Sequence, residues 1–171
     1  MTLPGLSIWA ALVGAAQAPA TAQMHWHAAF AVVLITICAI VASVLLHYEG
    51  LTLLQRNLGH VHLGPRRMRV LFGIIGVLLM HAIEIMFFAL GYAAVHAVHD
   101  GGAIHGMPHP RFLDLMYFSA ITYTTVGYGD LVPVGPLRFI AAVESLAGFV
   151  LVSWSASFTY LVMERFWGQR S

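Results

Sequence analysis

Three long apolar runs dominate the pattern of hydrophobic and polar positions along the chain. They cover Ala28–Leu46, Val70–Val95 and Phe139–Met163, and they contain almost no charged residues. An α-helix rises about 1.5 Å per residue, so each run is long enough to cross the roughly 30 Å hydrocarbon layer of a bilayer. The pattern predicts three transmembrane helices.

A shorter apolar run, Leu3–Ala16, precedes them. The small residues that follow it are typical of a signal-peptide cleavage region, but no basic residue comes before the run. Because the run is too short for a straight crossing, we interpret residues 1–23 as an interfacial or partly inserted segment. A fourth full span is the alternative.

Composition agrees with a membrane protein. Hydrophobic residues make up 60% of the chain, charged residues 9%, and the mean hydropathy is +0.82. The net charge is only +1 and the chain has no lysine, which argues against nucleic-acid binding. Cys38 is the single cysteine, so no disulfide can form within the chain.

Arginine placement predicts the orientation. Arginines crowd the loop between the first two long runs and follow the third, namely Arg56, Arg66, Arg67, Arg69, Arg165 and Arg170. Cytoplasmic loops carry an excess of arginine and lysine. We therefore expect a multi-pass protein of the cell membrane, such as a bacterial inner membrane, with the N-terminus outside and the C-terminus in the cytoplasm. The cluster of Arg66, Arg67 and Arg69 would contact lipid headgroups.

A short apolar segment, Arg111–Thr125, lies between the second and third long runs. Asp114 near its start suits the first turn of a helix. The segment leads into a glycine-rich stretch, Thr124–Asp130, with the sequence TTVGYGD. Irregular backbone at membrane depth leaves polar groups without partners unless protein or water surrounds it. We therefore expect a re-entrant helix and loop inside a protein or beside an aqueous cavity.

The stretch Thr124–Asp130 resembles the selectivity-filter signature of potassium channels letter for letter. The similarity covers roughly Val70–Trp167, in the family order of outer helix, pore helix, filter, a proline-bearing exit at Pro133 and inner helix. The chain looks most like small bacterial channels with two helices around the pore loop, preceded here by one extra helix.

The predicted fold is an all-α membrane protein with three transmembrane helices, a re-entrant pore helix and a filter loop. We expect the extra helix and its basic loop to occupy residues 24–69 and the pore domain to occupy residues 70–171.

The resemblance implies that the backbone carbonyls of four filter residues and one threonine hydroxyl bind K⁺ ions: Thr125, Val126, Gly127 and Tyr128. Thr124, Gly129 and Asp130 would support the filter, with Asp130 at the outer mouth. The side chains of Val126 and Tyr128 would pack behind it. Gly127 and Gly129 also fit on chemical grounds, because glycine adopts a positive φ at little cost and lets successive carbonyls face one side.

One loop cannot enclose an ion, and the chain contains one copy of the motif, so the site requires a homotetramer. Lipids are the other expected partners. We expect no organic cofactor and no covalent catalysis, so the protein is predicted not to be an enzyme.

Glu144 is a candidate filter support, because Ile121 stands where some family members place an acid behind the filter. We expect Glu144 to lie there, bonded to Arg138 or to a hydroxyl of the pore helix, such as that of Ser119 or Tyr123. A charge facing lipid would be costly.

His81 and Glu84 share one face of the second span, since they are three residues apart. Two interpretations stay open, a structural pair facing a neighbouring helix and a sensor of pH. His47 and Glu49 are interpreted as the water-facing end of the first span, with no functional role.

Histidines are concentrated in the predicted outer loop, at His96, His99, His105 and His109. Zinc or copper regulation is one interpretation, although the spacing matches no compact ligand template and hydrated side chains are the other. A non-conducting membrane sensor or assembly protein that binds metal in this loop is the alternative to a channel.

The third span offers candidates for gating. Gly148 is a possible bending point, and Phe158 and Met163 are candidates for a hydrophobic constriction near the cytoplasmic end. No span carries arginine at every third position, so a voltage sensor of the usual kind is not expected. The candidate gating stimuli are therefore lipid, membrane tension, pH, metal or a separate regulatory subunit.

Overall fold

A computed structural model of the chain describes residues 26–58 and 66–167. Four helices and two short strands follow one another: α1 (Trp26–Leu58), α2 (Arg66–Ala97), β1 (Ala103–His105), α3 (Phe112–Tyr123), β2 (Val132–Val134) and α4 (Leu137–Trp167). Three of the helices, α1, α2 and α4, are long and apolar enough to cross a membrane. The prediction of a mostly helical membrane protein with three spans is confirmed. The N-terminal segment predicted for residues 1–23 lies outside the described residues.

Helix α1 is longer than the sequence predicts. The interpretation of His47 and Glu49 as the water-facing end of this span is wrong for His47, which is fully buried, whereas Glu49 is exposed. The helix continues to Leu58 because His47 belongs to a stripe of buried residues repeating every three or four positions, including Ala39, Ser43 and Leu51. A carboxylate on α2 binds the imidazole, so the ring does not need water.

The main hydrophobic core joins all four helices. It contains Val32 of α1, Phe88 of α2, Phe118 of α3 and Ile140 of α4, each almost fully buried. The extra helix α1 therefore packs directly on the part of the chain that carries the pore loop. Its contribution to the same core indicates that it is a structural component of that unit.

Two smaller clusters extend the core toward the other end of the helices. Phe158 packs against a cluster of Leu51, Val77 and Met80. Met163 packs, together with Phe158, against a second cluster centred on Val162. Both candidate gate residues thus contact the core of their own chain, while the neighbouring Leu161 is exposed.

Strands β1 and β2 form a small antiparallel sheet that the sequence did not predict. Ala103 pairs with Val134, Ile104 with Pro133 and His105 with Val132. Each strand has three residues, which is too short for a clear pattern of alternating polarity. The sheet ties the loop before α3 to the segment after the filter, so it closes the chain around the pore helix.

Candidate selectivity filter

Helix α3 begins at Phe112, where the sequence places the start of a short helix. The backbone N–H of Arg111 donates a hydrogen bond of 3.0 Å to Oδ2 of Asp114, the third residue of the helix. An acidic side chain in the first turn also interacts favourably with the positive end of the helix dipole. Asp114 therefore stabilises the start of the helix at Phe112.

The end of α3 passes directly into the glycine-rich stretch. The N–H of Thr124 donates to the carbonyl of Ala120 at 3.1 Å, and that of Gly127 donates to the carbonyl of Ile121 at 3.1 Å. The last carbonyls of a helix have no partner within the helix. These bonds satisfy two of them and hold the start of the filter against the end of the pore helix.

The filter backbone alternates in conformation. Positive φ angles occur at Thr125 (59°), Gly127 (49°) and Gly129 (82°), whereas Val126 and Tyr128 between them have negative φ. Alternation of left-handed and right-handed residues turns successive carbonyls toward the same side of the chain. The glycines adopt the positive φ that the sequence predicts. Thr125 was not predicted to do so, and a β-branched residue is strained there.

The filter side chains have little packing within one chain. Tyr128 is 71% exposed and Val126 is 53% exposed. The sequence predicts that they pack behind the filter, and a single chain does not supply that packing. A cavity of about 480 Å³ lies beside the filter and is lined by Phe118, Thr125, Gly127, Pro133, Arg138 and Ser145. The stretch is therefore bordered by this cavity and by the exposed side chains of Val126 and Tyr128.

The outer end of the stretch is linked to the pore helix. The hydroxyl of Tyr117 donates a hydrogen bond of 3.0 Å to Oδ2 of Asp130. Both side chains are exposed. The bond connects Asp130, the last residue of the stretch, to α3.

Glu144 of α4 is fully buried behind the pore helix. The hydroxyl of Ser119 donates to its Oε1 at 2.5 Å, and the hydroxyl of Tyr92 donates to its Oε2. Ser119 is the predicted partner that contacts Glu144. Arg138, another predicted partner, instead lines the cavity beside the filter. Glu144 thus joins α2, α3 and α4 in one hydrogen-bonded group.

Glu144→Gln is expected to lower the thermal stability of the purified protein. The amide keeps one acceptor oxygen but presents its NH₂ group to the other hydroxyl, which must stop donating to position 144 and accept a hydrogen bond instead. Replacing a bond to a buried carboxylate by this weaker arrangement is expected to cost about 1–3 kcal/mol in each chain. The unfolding midpoint in detergent is the measurement, and Glu49→Gln on the exposed face of α1 is the control. Equal midpoints for wild type and Glu144→Gln would contradict this role of Glu144.

Gly148 of α4 lies against the end of the pore helix. A Cβ at this position would come within 2.0 Å of the carbonyl oxygen of Tyr123 and 2.8 Å of its carbonyl carbon. The sequence suggested Gly148 as a bending point. The structure gives it a packing role, because only a residue without a side chain lets the inner helix approach the backbone that precedes the filter.

A second buried polar group lies beside Tyr123. Glu84 of α2 is fully buried and accepts hydrogen bonds from His81 and from the hydroxyl of Tyr123. Nδ1 of His47 lies 2.8 Å from its Oε1. The sequence recognised the His81–Glu84 pair but missed His47 and Tyr123 as its partners. The burial of His47 could have been inferred from its position four residues after Ser43 and four before Leu51, on the face of α1 that carries small and apolar residues.

The outer histidines are distributed over the loop between α2 and α3. His99 is exposed and its Nδ1 lies 2.8 Å from a carboxylate oxygen of Asp100, and His105 belongs to β1. Within residues 26–58 and 66–167, the one group of three close metal-binding side chains is His47, His81 and Glu84. None of the four residues named as an outer metal site, His96, His99, His105 and His109, belongs to it.

Several known proteins are similar to part of this chain. Two pore potassium channel a of Oryza sativa subsp. japonica is 43% identical over 68 residues, which is 40% of this chain and 18% of that protein. Inward rectifier potassium channel Kirbac3.1 of Paramagnetospirillum magnetotacticum is 36% identical over 74 residues, 43% of this chain and 23% of that protein. Protein LctB of Geobacillus stearothermophilus is 47% identical over 72 residues, 36% of this chain and 54% of that protein.

These similarities are partial. The chain covers roughly a fifth of the length of the first two relatives and about half of the third. No solved structure matches the chain.

Two spanning helices around a short helix and a backbone of alternating φ define a membrane channel with a re-entrant pore loop. A family model described as an ion channel matches residues 80–165, which is half of the chain. The chain belongs to this ion channel family, and the similar potassium channels confirm the predicted resemblance to pore-loop potassium channels. This family assignment agrees with the predicted class of protein, an ion channel rather than an enzyme.

Proposed function

We propose that this protein forms a passive, K⁺-selective pore. The observation that carries the proposal is the alternating backbone of Thr125–Gly129, which is held at the end of a short helix between two spanning helices. A dehydrated K⁺ ion needs several oxygen ligands, and a row of carbonyls on one side of the chain offers them. The names of the similar potassium channels support the choice of ion.

In the proposed pore, the carbonyls of Thr125, Val126, Gly127 and Tyr128 replace the water that the ion sheds. The hydroxyl of Thr125 provides a further ligand at the inner end. Asp130 places negative charge at the outer mouth, and the negative end of the α3 dipole faces the inner end of the filter, where it favours a cation. Ions move down their electrochemical gradient without any covalent step.

The proposed assembly is a homotetramer. A single filter strand offers ligands from one side only, and four copies around an axis would surround the ion. The exposed rings of Tyr128 and the cavity beside the filter support contacts between neighbouring chains, which would provide the packing that one chain lacks. The face of α4 with Leu146, Phe149 and Val150 is also exposed in the single chain.

The proposed orientation places the N-terminus and the segment from Val98 to Arg111 outside the cell membrane, and the C-terminus in the cytoplasm. The arginine distribution supports it. In this orientation Asp130 faces the exterior, and the ends of α1 and α4 at Leu58 and Trp167 lie at the cytoplasmic surface. We further propose that residues 24–69 form a helix and loop that brace the pore domain of residues 70–171.

Reconstitution into liposomes tests the proposed function. Purified full-length protein is expected to pass K⁺ and Rb⁺ at least about tenfold faster than Na⁺, since one alkali cation fits the carbonyl ligands better than the other. Barium, which carries two charges, is expected to block the flux. Empty liposomes and liposomes with the Gly127→Ala variant are the controls. Equal fluxes of K⁺ and Na⁺, or no flux from a correctly assembled protein, would contradict the proposal and favour a non-conducting sensor.

A further inference from the structure

Three potential metal ligands converge in the centre of the helix bundle. Nδ1 of His47 on α1 lies 2.8 Å from Oε1 of Glu84, and Nδ1 of His81 lies 2.8 Å from Oε2 of the same carboxylate. The side chains of His47 and Glu84 are fully buried, and that of His81 is 13% exposed. Each imidazole therefore contacts a different oxygen of the same carboxylate, and the two ring centroids lie 5.5 Å apart.

We propose that His47, His81 and Glu84 form a binding site for a divalent transition-metal ion, for which Zn²⁺ is the simplest probe. Two imidazole nitrogens and a carboxylate oxygen form a donor set that suits zinc and related first-row ions. The three ligand atoms all lie within 4.8 Å of one another. Zinc bonds of about 2.0–2.2 Å place tetrahedral ligands roughly 3.3–3.5 Å apart, so small side-chain shifts bring the three atoms around one ion.

The surroundings of His47 fit a metal ligand. Its other ring nitrogen, Nε2, lies 3.4 Å from the hydroxyl of Ser155 on α4, and its ring packs on Trp154 with 5.1 Å between ring centroids. A metal-binding histidine characteristically uses its second nitrogen for a hydrogen bond that fixes the orientation of the ring. Ser155 and Trp154 would hold Nδ1 toward Glu84 in this way.

Nδ1 of His81 has more possible partners than it can bond to at one time. Its Nδ1 lies within bonding distance of both Glu84 and the hydroxyl of Tyr123, at 2.8 and 2.9 Å, although one ring nitrogen offers a single hydrogen or a single lone pair. The Tyr123 oxygen is placed to serve as a fourth ligand. Ser43, one helical turn from His47 on the same buried face, has a hydroxyl without a hydrogen-bond partner in the described part of the chain.

Metal binding at this site would join the extra helix to the pore. The ligands come from α1 and α2, and Tyr123 is the last residue of α3 before the filter stretch begins. An ion held here would fix α1 against the element that positions the filter. The binding itself does not depend on ion conduction, so the proposal stands or falls separately from the proposed function.

Spectroscopy with Co²⁺ as a stand-in for Zn²⁺ provides the test. Full-length protein in detergent, first treated with a chelator, is expected to develop the visible absorption typical of four-coordinate Co²⁺ and to lose it when Zn²⁺ is added. Saturation with Zn²⁺ is expected to raise the unfolding midpoint by about 5 °C or more, since a ligand that binds only the folded state stabilises it.

Matched variants locate the site. His47→Gln and His81→Gln each remove one ligand, and each is expected to weaken Co²⁺ binding at least about tenfold and to abolish the Zn²⁺-dependent rise in midpoint. His99→Gln in the outer loop is the control and is expected to bind as wild type does. If the ligand variants fail to assemble, X-ray absorption at the zinc edge of the wild-type protein replaces them and is expected to show two imidazole ligands.

Three results would overturn the proposal. The first is wild-type protein that shows no Co²⁺ absorption and no Zn²⁺-dependent stabilisation at micromolar metal. The second is binding that survives unchanged in His47→Gln, and the third is binding that disappears in His99→Gln. A zinc-edge X-ray absorption spectrum without imidazole ligands would also overturn the proposal.

Discussion

Gly127→Ala is expected to abolish selective K⁺ flux. Gly127 has a φ of 49°, and a residue with a Cβ pays about 1–2 kcal/mol for the left-handed conformation. Apart from the two adjacent residues, no atom of the described chain lies within 4 Å of an added Cβ, so the left-handed conformation, together with the neighbouring chains of the proposed tetramer, opposes the substitution. Because the proposed filter contains four copies, the strain is repeated four times in one ion pathway.

A fall of about a hundredfold or more in K⁺ flux is therefore expected for this variant, measured with liposomes containing equal amounts of assembled protein. Gly135→Ala is the matched control. Gly135 also has a positive φ, of 69°, but it lies in the turn between β2 and α4. This variant is expected to keep the wild-type preference for K⁺ over Na⁺. Selective flux through Gly127→Ala at the wild-type rate would show that this backbone does not bind the ions.

Gly148→Ala is expected to be the most destabilising single methyl addition in the described part of α4. The new Cβ would lie 2.0 Å from the carbonyl oxygen of Tyr123, which is a backbone atom and cannot rotate away. Overpacking usually costs about 1–3 kcal/mol, and a clash with backbone lies at the upper end of that range or above it. Either α4 or the end of α3 must move, and movement of α3 displaces the filter.

We expect Gly148→Ala to lower the unfolding midpoint and to reduce K⁺ flux together. Gly73→Ala on α2 is the control, because an added Cβ there would meet Leu58 at an ordinary 3.4 Å and alanine favours a helix over glycine by up to about 1 kcal/mol. That variant is expected to be as stable as wild type or more so. If Gly148 were only a bending point, alanine would stiffen α4 without lowering the midpoint, and that result would contradict the packing role.

The membrane class, the three spans and the pore helix could be predicted from the sequence because each depends on local signals. Apolar length fixes a spanning helix, and Asp114 marks the start of α3 through its own hydrogen bond to the backbone. The stretch Thr124–Asp130 was recognised through its resemblance to the filter signature of potassium channels, and Gly127 and Gly129 have the positive φ that glycine adopts at little cost.

The features that were missed depend on contacts between distant parts of the chain. His47 is polar and follows an apolar run, so in isolation it indicates the end of a span. Only Glu84, which is 37 residues further along the chain, makes its burial favourable. The pairing of β1 with β2 also brings together segments separated by the pore helix and filter. The positive φ of Thr125 follows from its place in the filter and runs against the preference of a β-branched residue.

The central claim is that backbone carbonyls of residues 125–128 from four chains coordinate K⁺ on a common axis. Diffraction from crystals of the full-length protein grown in Rb⁺ tests this claim most directly, because the anomalous signal of Rb⁺ locates the ions independently of the protein atoms. We predict a row of anomalous peaks on a fourfold axis, each surrounded by carbonyl oxygens of Thr125, Val126, Gly127 or Tyr128. An assembly without fourfold symmetry, or ions located away from these carbonyls, would contradict the account.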